Sequence, residues 1–110
     1  MTEIIEIPKN SYGFTLSMIA KNSDGTRYDI TGMTPWLIIG QIPGNTIYSG
    51  QCSLGTYPKS GECNIVVPSS MTSTSGVYRA ELEVVQAGQR VELNRYTFVI
   101  SDTLTGVGNQ

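Results

Sequence analysis

From Ser75 to Val85 the chain alternates without a break. Tyr78, Ala80, Leu82 and Val84 fall on one side, and Arg79, Glu81 and Glu83 fall on the other. Successive side chains of a strand point to opposite faces, so this stretch predicts one wall of an antiparallel sheet with a buried face and a wet face. The segment opens on the step Gly76-Val77-Tyr78, a glycine corner followed at once by a tyrosine that turns into the buried row.

Short apolar runs recur along the rest of the chain, separated by turn residues at a spacing of about 8 to 12 residues, the pattern of an all-β sandwich or barrel. The first runs from Glu3 to Ile7 and ends at Pro8. The second, Gly13 to Ala20, places Phe14, Leu16, Met18 and Ala20 on one face. Asn22-Ser23-Asp24-Gly25 then supplies side chains that bond their own backbone and a glycine free to take positive φ, so the chain must reverse. A short extended piece from Arg27 to Ile30 precedes Thr31-Gly32 and a third main strand from Thr34 to Gln41. Its centre, Trp36-Leu37-Ile38-Ile39, is apolar on both faces, which fits a strand covered on both sides or docked on a neighbour.

Ile47 to Leu54 and Gly61 to Val67 read as further strands, with turns at Gly44-Asn45 and at Pro58 to Gly61. Pro68 to Ser75 is a polar crossover with room for one helical turn, and Gln86-Ala87-Gly88-Gln89 is a hairpin loop. The last strand, Val91 to Ile100, changes phase near Asn94-Arg95, which predicts a β-bulge. Residues 1–101 thus form a single domain, with 102–110 as a flexible tail or link.

A tyrosine just after a glycine corner is how immunoglobulin-like sandwiches begin their sixth strand. The fold expected is an all-β, immunoglobulin-like antiparallel sandwich of about seven to nine short strands. Its expected core is Phe14, Leu16, Trp36, Tyr78, Ala80, Leu82 and Phe98. A chain of 110 residues suits one such core and buries roughly two thirds of its unfolded surface.

Function is bounded mainly by subtraction. A net charge of −2 with no basic stripe removes the electrostatic source of nucleic-acid binding. No run approaches the roughly 20 apolar residues of a membrane-spanning helix. The stretch Met1 to Glu6 lacks the basic and apolar regions of a secretory signal, which predicts synthesis in a cytoplasm. In that reducing setting Cys52 and Cys63 read first as small buried residues, although a bridge across a hairpin near Tyr57 and Pro58 is sterically open.

There is no histidine, which removes the commonest general base and every Ser-His-Asp or Cys-His arrangement, and two cysteines alone make a poor metal site. No P-loop, dinucleotide fingerprint or nucleophile elbow is present, so no catalytic residue, metal or cofactor is expected. Glu81 and Glu83 share a strand face about 7 Å apart, a spacing compatible with paired-acid catalysis, yet beside Arg79 they read as solvated charge. Asp24 and Asp29 read as turn caps rather than calcium ligands. Trp36 reads as the plug of the core first and a sugar-stacking platform second.

Taken in order, Gly13-Phe14-Thr15-Leu16, Ser23-Asp24-Gly25, Tyr28 to Thr34, Gly61 to Pro68 and Gly76 to Glu83 resemble the immunoglobulin-like N-terminal domain of phage baseplate upper proteins. The likeness spans residues from about 3 to 101 and rests on the succession of these pieces. It implies a non-enzymatic structural part of a phage particle, in tail, baseplate, neck or capsid decoration, made in the host cytoplasm and carried in the virion. Its partners would be other virion proteins and copies of itself, with neither nucleic acid nor membrane.

The surface expected to meet those partners comprises Ile4, Ile5, Leu37, Ile39, Tyr48 and Tyr57. The alternative is a carbohydrate-binding or host-adhesion module in which loop tyrosines and Trp36 stack on a host glycan. A third reading is a small secreted inhibitor or adhesin stapled by Cys52 and Cys63.

Overall fold

The computed structural model describes residues 3–41 and 45–102. Eight strands carry the fold: β1 (Glu3–Pro8), β2 (Thr15–Ile19), β3 (Thr34–Gly40), β4 (Thr46–Gln51), β5 (Ser53–Leu54), β6 (Glu62–Val66), β7 (Gly76–Gln86) and β8 (Gln89–Ser101). They form a five-stranded sheet of order β1-β8-β7-β3-β4 and a three-stranded sheet of order β2-β6-β5. The result is the expected immunoglobulin-like sandwich with one correction to its all-antiparallel description, because β1 pairs with β8 in parallel, Ile5 opposite Phe98 and Ile7 opposite Ile100. Gly44 of the expected turn and residues 103–110 of the expected tail lie outside the described residues.

Turn chemistry sets the reversals. Asp24 accepts hydrogen bonds from the Thr26 hydroxyl at 2.6 Å and the Thr26 amide at 2.9 Å, and these bonds hold its carboxyl below the usual range. Asp29 accepts from the Thr31 amide at 2.9 Å and closes the next turn in the same way. At the β7–β8 hairpin two residues span the gap between the paired Gln86 and Gln89, and both Ala87 (φ 44°) and Gly88 (φ 84°) are left-handed. That is the turn whose twist matches a hairpin, but alanine pays about 1 kcal/mol for the conformation. Ala87→Asn is expected to raise stability by about 0.5–1 kcal/mol, read as a shift of the urea midpoint at unchanged slope.

The core lies between the sheets. Tyr78, Ala80, Leu82 and Val84 of β7, with Phe98 and Ile100 of the adjacent β8, share one buried core with Met18 and Ala20 in and beside β2 and Ile65 and Val67 in and beside β6 of the other sheet. Tyr78 forms the expected corner, its hydroxyl donating to the Thr74 carbonyl at 2.9 Å. The predicted bulge is present in β8: Glu81 pairs with Arg95 and Glu83 with Glu92, so one extra residue sits opposite Leu82. It brings Asn94 across to the other sheet. The Asn94 amide group donates to the Ile19 carbonyl at 3.0 Å and accepts from the Lys21 backbone N–H at 3.0 Å.

Four expectations are corrected. Cross-strand partners share a face, and β3 pairs Leu37 with Leu82, Ile39 with Ala80, Trp36 with Glu83 and Ile38 with Glu81. Leu37 and Ile39 therefore point inward and are fully buried rather than forming an outer surface. By the same register Trp36 leaves the core and stands half-buried on the outer face. Phe14 also leaves the core, 39% exposed, because it precedes the first ladder pair of the edge strand β2 and only Leu16, half-buried, begins the covered row. Finally, Glu83 is only 6% exposed, so it is not the solvated charge its alternation suggested.

Candidate interaction surface on the outer sheet face

The outer face of the five-stranded sheet carries an aromatic and aliphatic centre bordered by charge. β3 presents Trp36 and Ile38, β7 adds Glu81, Glu83 and Val85, and β8 adds Arg90, Glu92 and Arg95. An open groove of about 630 Å³ runs over this face, lined by Trp36, Ile38, Thr46, Ser49, Glu81, Glu83, Val85, Arg90 and Glu92. Exposed Val77 continues the face along β7.

Charges here are laced rather than free. Arg90 Nε stands 3.5 Å from Glu83 Oε1, which gives the buried carboxylate its counter-charge. Arg95 bridges two acids, with Nε 3.3 Å from Glu81 Oε2 and Nη2 3.5 Å from Glu92 Oε1. Burial raises the Glu81 carboxyl above its ordinary value, and a hydrogen bond with Glu92 adds to the rise. The same bond holds Glu92 below its ordinary value.

The signs oppose. The share of stability due to Glu81 is complete below the ordinary carboxyl pKa and is lost as pH rises through its raised folded value. The share due to Glu92 is present above the ordinary value and is lost as pH falls through its depressed one. Glu81→Gln keeps a donor and removes the cost of charging. It should stabilise the chain at pH 7 by less than about 1 kcal/mol, since the site is partly solvated, and the gain should vanish near pH 4. Urea midpoints of the two chains at both pH values check this; a gain that is larger at pH 4 contradicts it.

The other residues expected at a surface do not converge on this face. Ile4 is 68% exposed on the edge strand β1, with Ile5 half-buried against the core. Tyr48 pairs with Ile39 and packs half-buried against the core, where burial pushes its phenol pKa up. Tyr57 is exposed beside a short 3₁₀ turn (Pro58–Ser60) in the connection between β5 and β6 of the smaller sheet. Sequence reasoning missed the β8 members Arg90, Glu92 and Arg95, because only the bulged β7–β8 register shows which acids they meet. Among the described residues no cluster of potential metal ligands is present, and no helix is long and apolar enough to cross a membrane.

A family model, that of the BppU N-terminal domain, matches residues 10–109. The chain belongs to this family. A BppU N-terminal domain is a baseplate structural domain, so the protein is a structural component of a phage virion. The structure is similar to the N-terminal domain of phage TP901-1 ORF48, with a TM-score of 0.62 and 11% identity over 92% of this chain and 89% of that one. It is also similar to CopC from Methylosinus trichosporium OB3b, with a TM-score of 0.49 and 15% identity over 92% and 86% of the two chains. A search of curated protein sequences gave no match. The family match fixes the resemblance read from the order of motifs, and within a BppU domain the outer sheet face is the surface whose composition asks for a function.

Proposed function

We propose that this BppU domain is a non-enzymatic docking module, held in the baseplate by neighbouring virion proteins that cover the outer face of its five-stranded sheet. The observation that carries the reading is Trp36, turned outward by the β3 register into an open groove instead of filling the core. A central aromatic beside Ile38, bordered by Arg90, Glu92 and Arg95, has the composition of an interface centre with a polar rim. Tryptophan and arginine are the residues that most often dominate binding energy at such a centre.

The test is incorporation into particles. Phage assembled with Trp36→Ala or with Ile38→Glu should carry at least about tenfold less of the protein, the loss expected when a residue at an interface centre worth 2 kcal/mol or more is removed. The isolated variants should remain folded, because both positions lie outside the buried core. Wild-type incorporation of both variants contradicts the proposal.

The glycan reading has one observation on its side, the same outward Trp36. None of Tyr12, Tyr28, Tyr48 and Tyr57 lines the groove, so the aromatic cluster that reading needs is not assembled there. Titrating the isolated chain with host surface glycan separates the two. Docking to protein predicts unchanged Trp36 fluorescence, whereas a saturable shift favours sugar stacking.

A further inference from the structure

Cys52 is the residue at which the chain leaves β4 in the larger sheet and enters β5 in the smaller one, and its amide donates to the Pro35 carbonyl at 2.8 Å. Cys63 lies in β6, opposite Met18 on one side and Leu54 on the other. Both are free thiols and both are buried. Leu54 of β5 pairs with Cys63, so Cys52, two positions before Leu54, falls on the Cys63 side of that ladder, and both side chains belong to the same buried core. Hydrogen bonding between the two thiols pulls Cys63 below the ordinary thiol range and pushes Cys52 above it.

We propose that Cys52 and Cys63 are a disulfide-forming pair, reduced while the chain folds in the host cytoplasm and oxidised once the particle is outside, where the bond staples the β4–β5 crossing to β6. A virion component passes between those two redox settings by its nature. The oxidant is a low-molecular-weight disulfide. The Cys63 thiolate attacks one of its sulfurs and expels a first small thiolate, leaving a mixed disulfide on Cys63. Cys52 then loses its proton and attacks the Cys63 sulfur, expelling the second small thiolate. Two protein thiols are oxidised, one small disulfide is reduced to two thiols, and the two cysteine protons go to the leaving thiolates.

Entry requires only local opening. β5 is a two-residue edge strand whose Ser53 and Leu54 are exposed, and it covers Cys63 from one side. A cleft of about 370 Å³, lined by Ser17, Ile19, Gly55, Thr56, Glu62 and Cys63 among others, opens next to it. Edge segments of this kind open at low cost compared with global unfolding. Ten residues separate the pair, so the bond closes a short loop and removes freedom from the unfolded chain.

The experiment treats the folded full chain with oxidised glutathione, quenches with acid, unfolds it and counts thiols with a maleimide. Both thiols should disappear together, a Cys52–Cys63 cross-linked peptide should be recovered without glutathione adduct, and the melting temperature should rise by roughly 10 °C and fall back with dithiothreitol. Cys52→Ala and Cys63→Ala should each show no such rise, and the wild-type result stands even if one variant does not fold. Two thiols surviving the oxidant, a lasting mixed disulfide, or a lower melting temperature after cross-linking overturns the proposal. Alkylation at the moment of host lysis then dates the event: intracellular chains should carry two free thiols and released particles none. Released particles with both thiols free would also overturn it.

Discussion

Tyr78→Ala should destabilise the domain by about 3–5 kcal/mol, a large share of the 5–15 kcal/mol that holds a domain of this size folded. Two losses add. The ring is buried opposite Phe98 in the centre of the larger sheet, so truncation leaves a cavity that strands fixed by their ladders cannot close. The hydroxyl donates to the Thr74 carbonyl at 2.9 Å and lies 3.3 Å from the Ser75 carbonyl, and without it these carbonyls at the corner lose their partner. Gly76 takes φ 154° there, and a Cβ on it would sit 3.1 Å from the Tyr78 oxygen, so the corner is shaped around the phenol. Tyr78→Phe keeps the ring and should cost only about 1–1.5 kcal/mol. Urea denaturation of the three chains measures both steps. A near-neutral Tyr78→Ala would mean that the corner does not support the sheet.

Leu37→Ala should cost about 2–5 kcal/mol, while Trp36→Thr, one position away, should cost about 1 kcal/mol. Leu37 is fully buried opposite Leu82, whereas Trp36 stands half-buried on the outer face opposite Glu83 and threonine suits a strand there. By size alone the tryptophan change should be the worse, so the order of the two effects reports the phase of β3 directly. Equilibrium unfolding of both variants gives the order. A Trp36 variant less stable than the Leu37 variant contradicts the register.

How far the sequence reveals this molecule depends on whether the deciding contact is local. The Asp24 and Asp29 turns, the Gln86–Gln89 hairpin, the bulge in the last strand and the Tyr78 corner are set by residues a few positions apart, and each is legible in the sequence. The phase of Trp36-Leu37-Ile38-Ile39 is not. Both faces are apolar, and only pairing with β7, some forty residues on, decides which face is inside. Phe14 follows the alternation of its row yet precedes the first ladder pair, where it is left partly exposed.

The polar crossover hides two core residues for the same reason. Met71 and Thr72 are fully buried in or beside a short 3₁₀ turn (Ser69–Met71). The Thr72 hydroxyl donates to the Ser11 carbonyl at 2.8 Å, and its own carbonyl accepts from the Asn10 amide at 2.8 Å. Those partners lie at the other end of the chain. The interaction surface was least legible of all, because it consists of side chains on strands joined only by register, and the buried Glu83 depends on Arg90 across a hairpin.

Hydroxyl-radical footprinting of Trp36, in the free domain and in intact particles, tests the docking of the outer sheet face most directly. The account predicts that Trp36 is oxidised in the free chain and strongly protected in the particle, while Tyr57, exposed in the connection between β5 and β6 and absent from the groove, serves as the reference within the same sample. Equal oxidation of Trp36 in both states would contradict it.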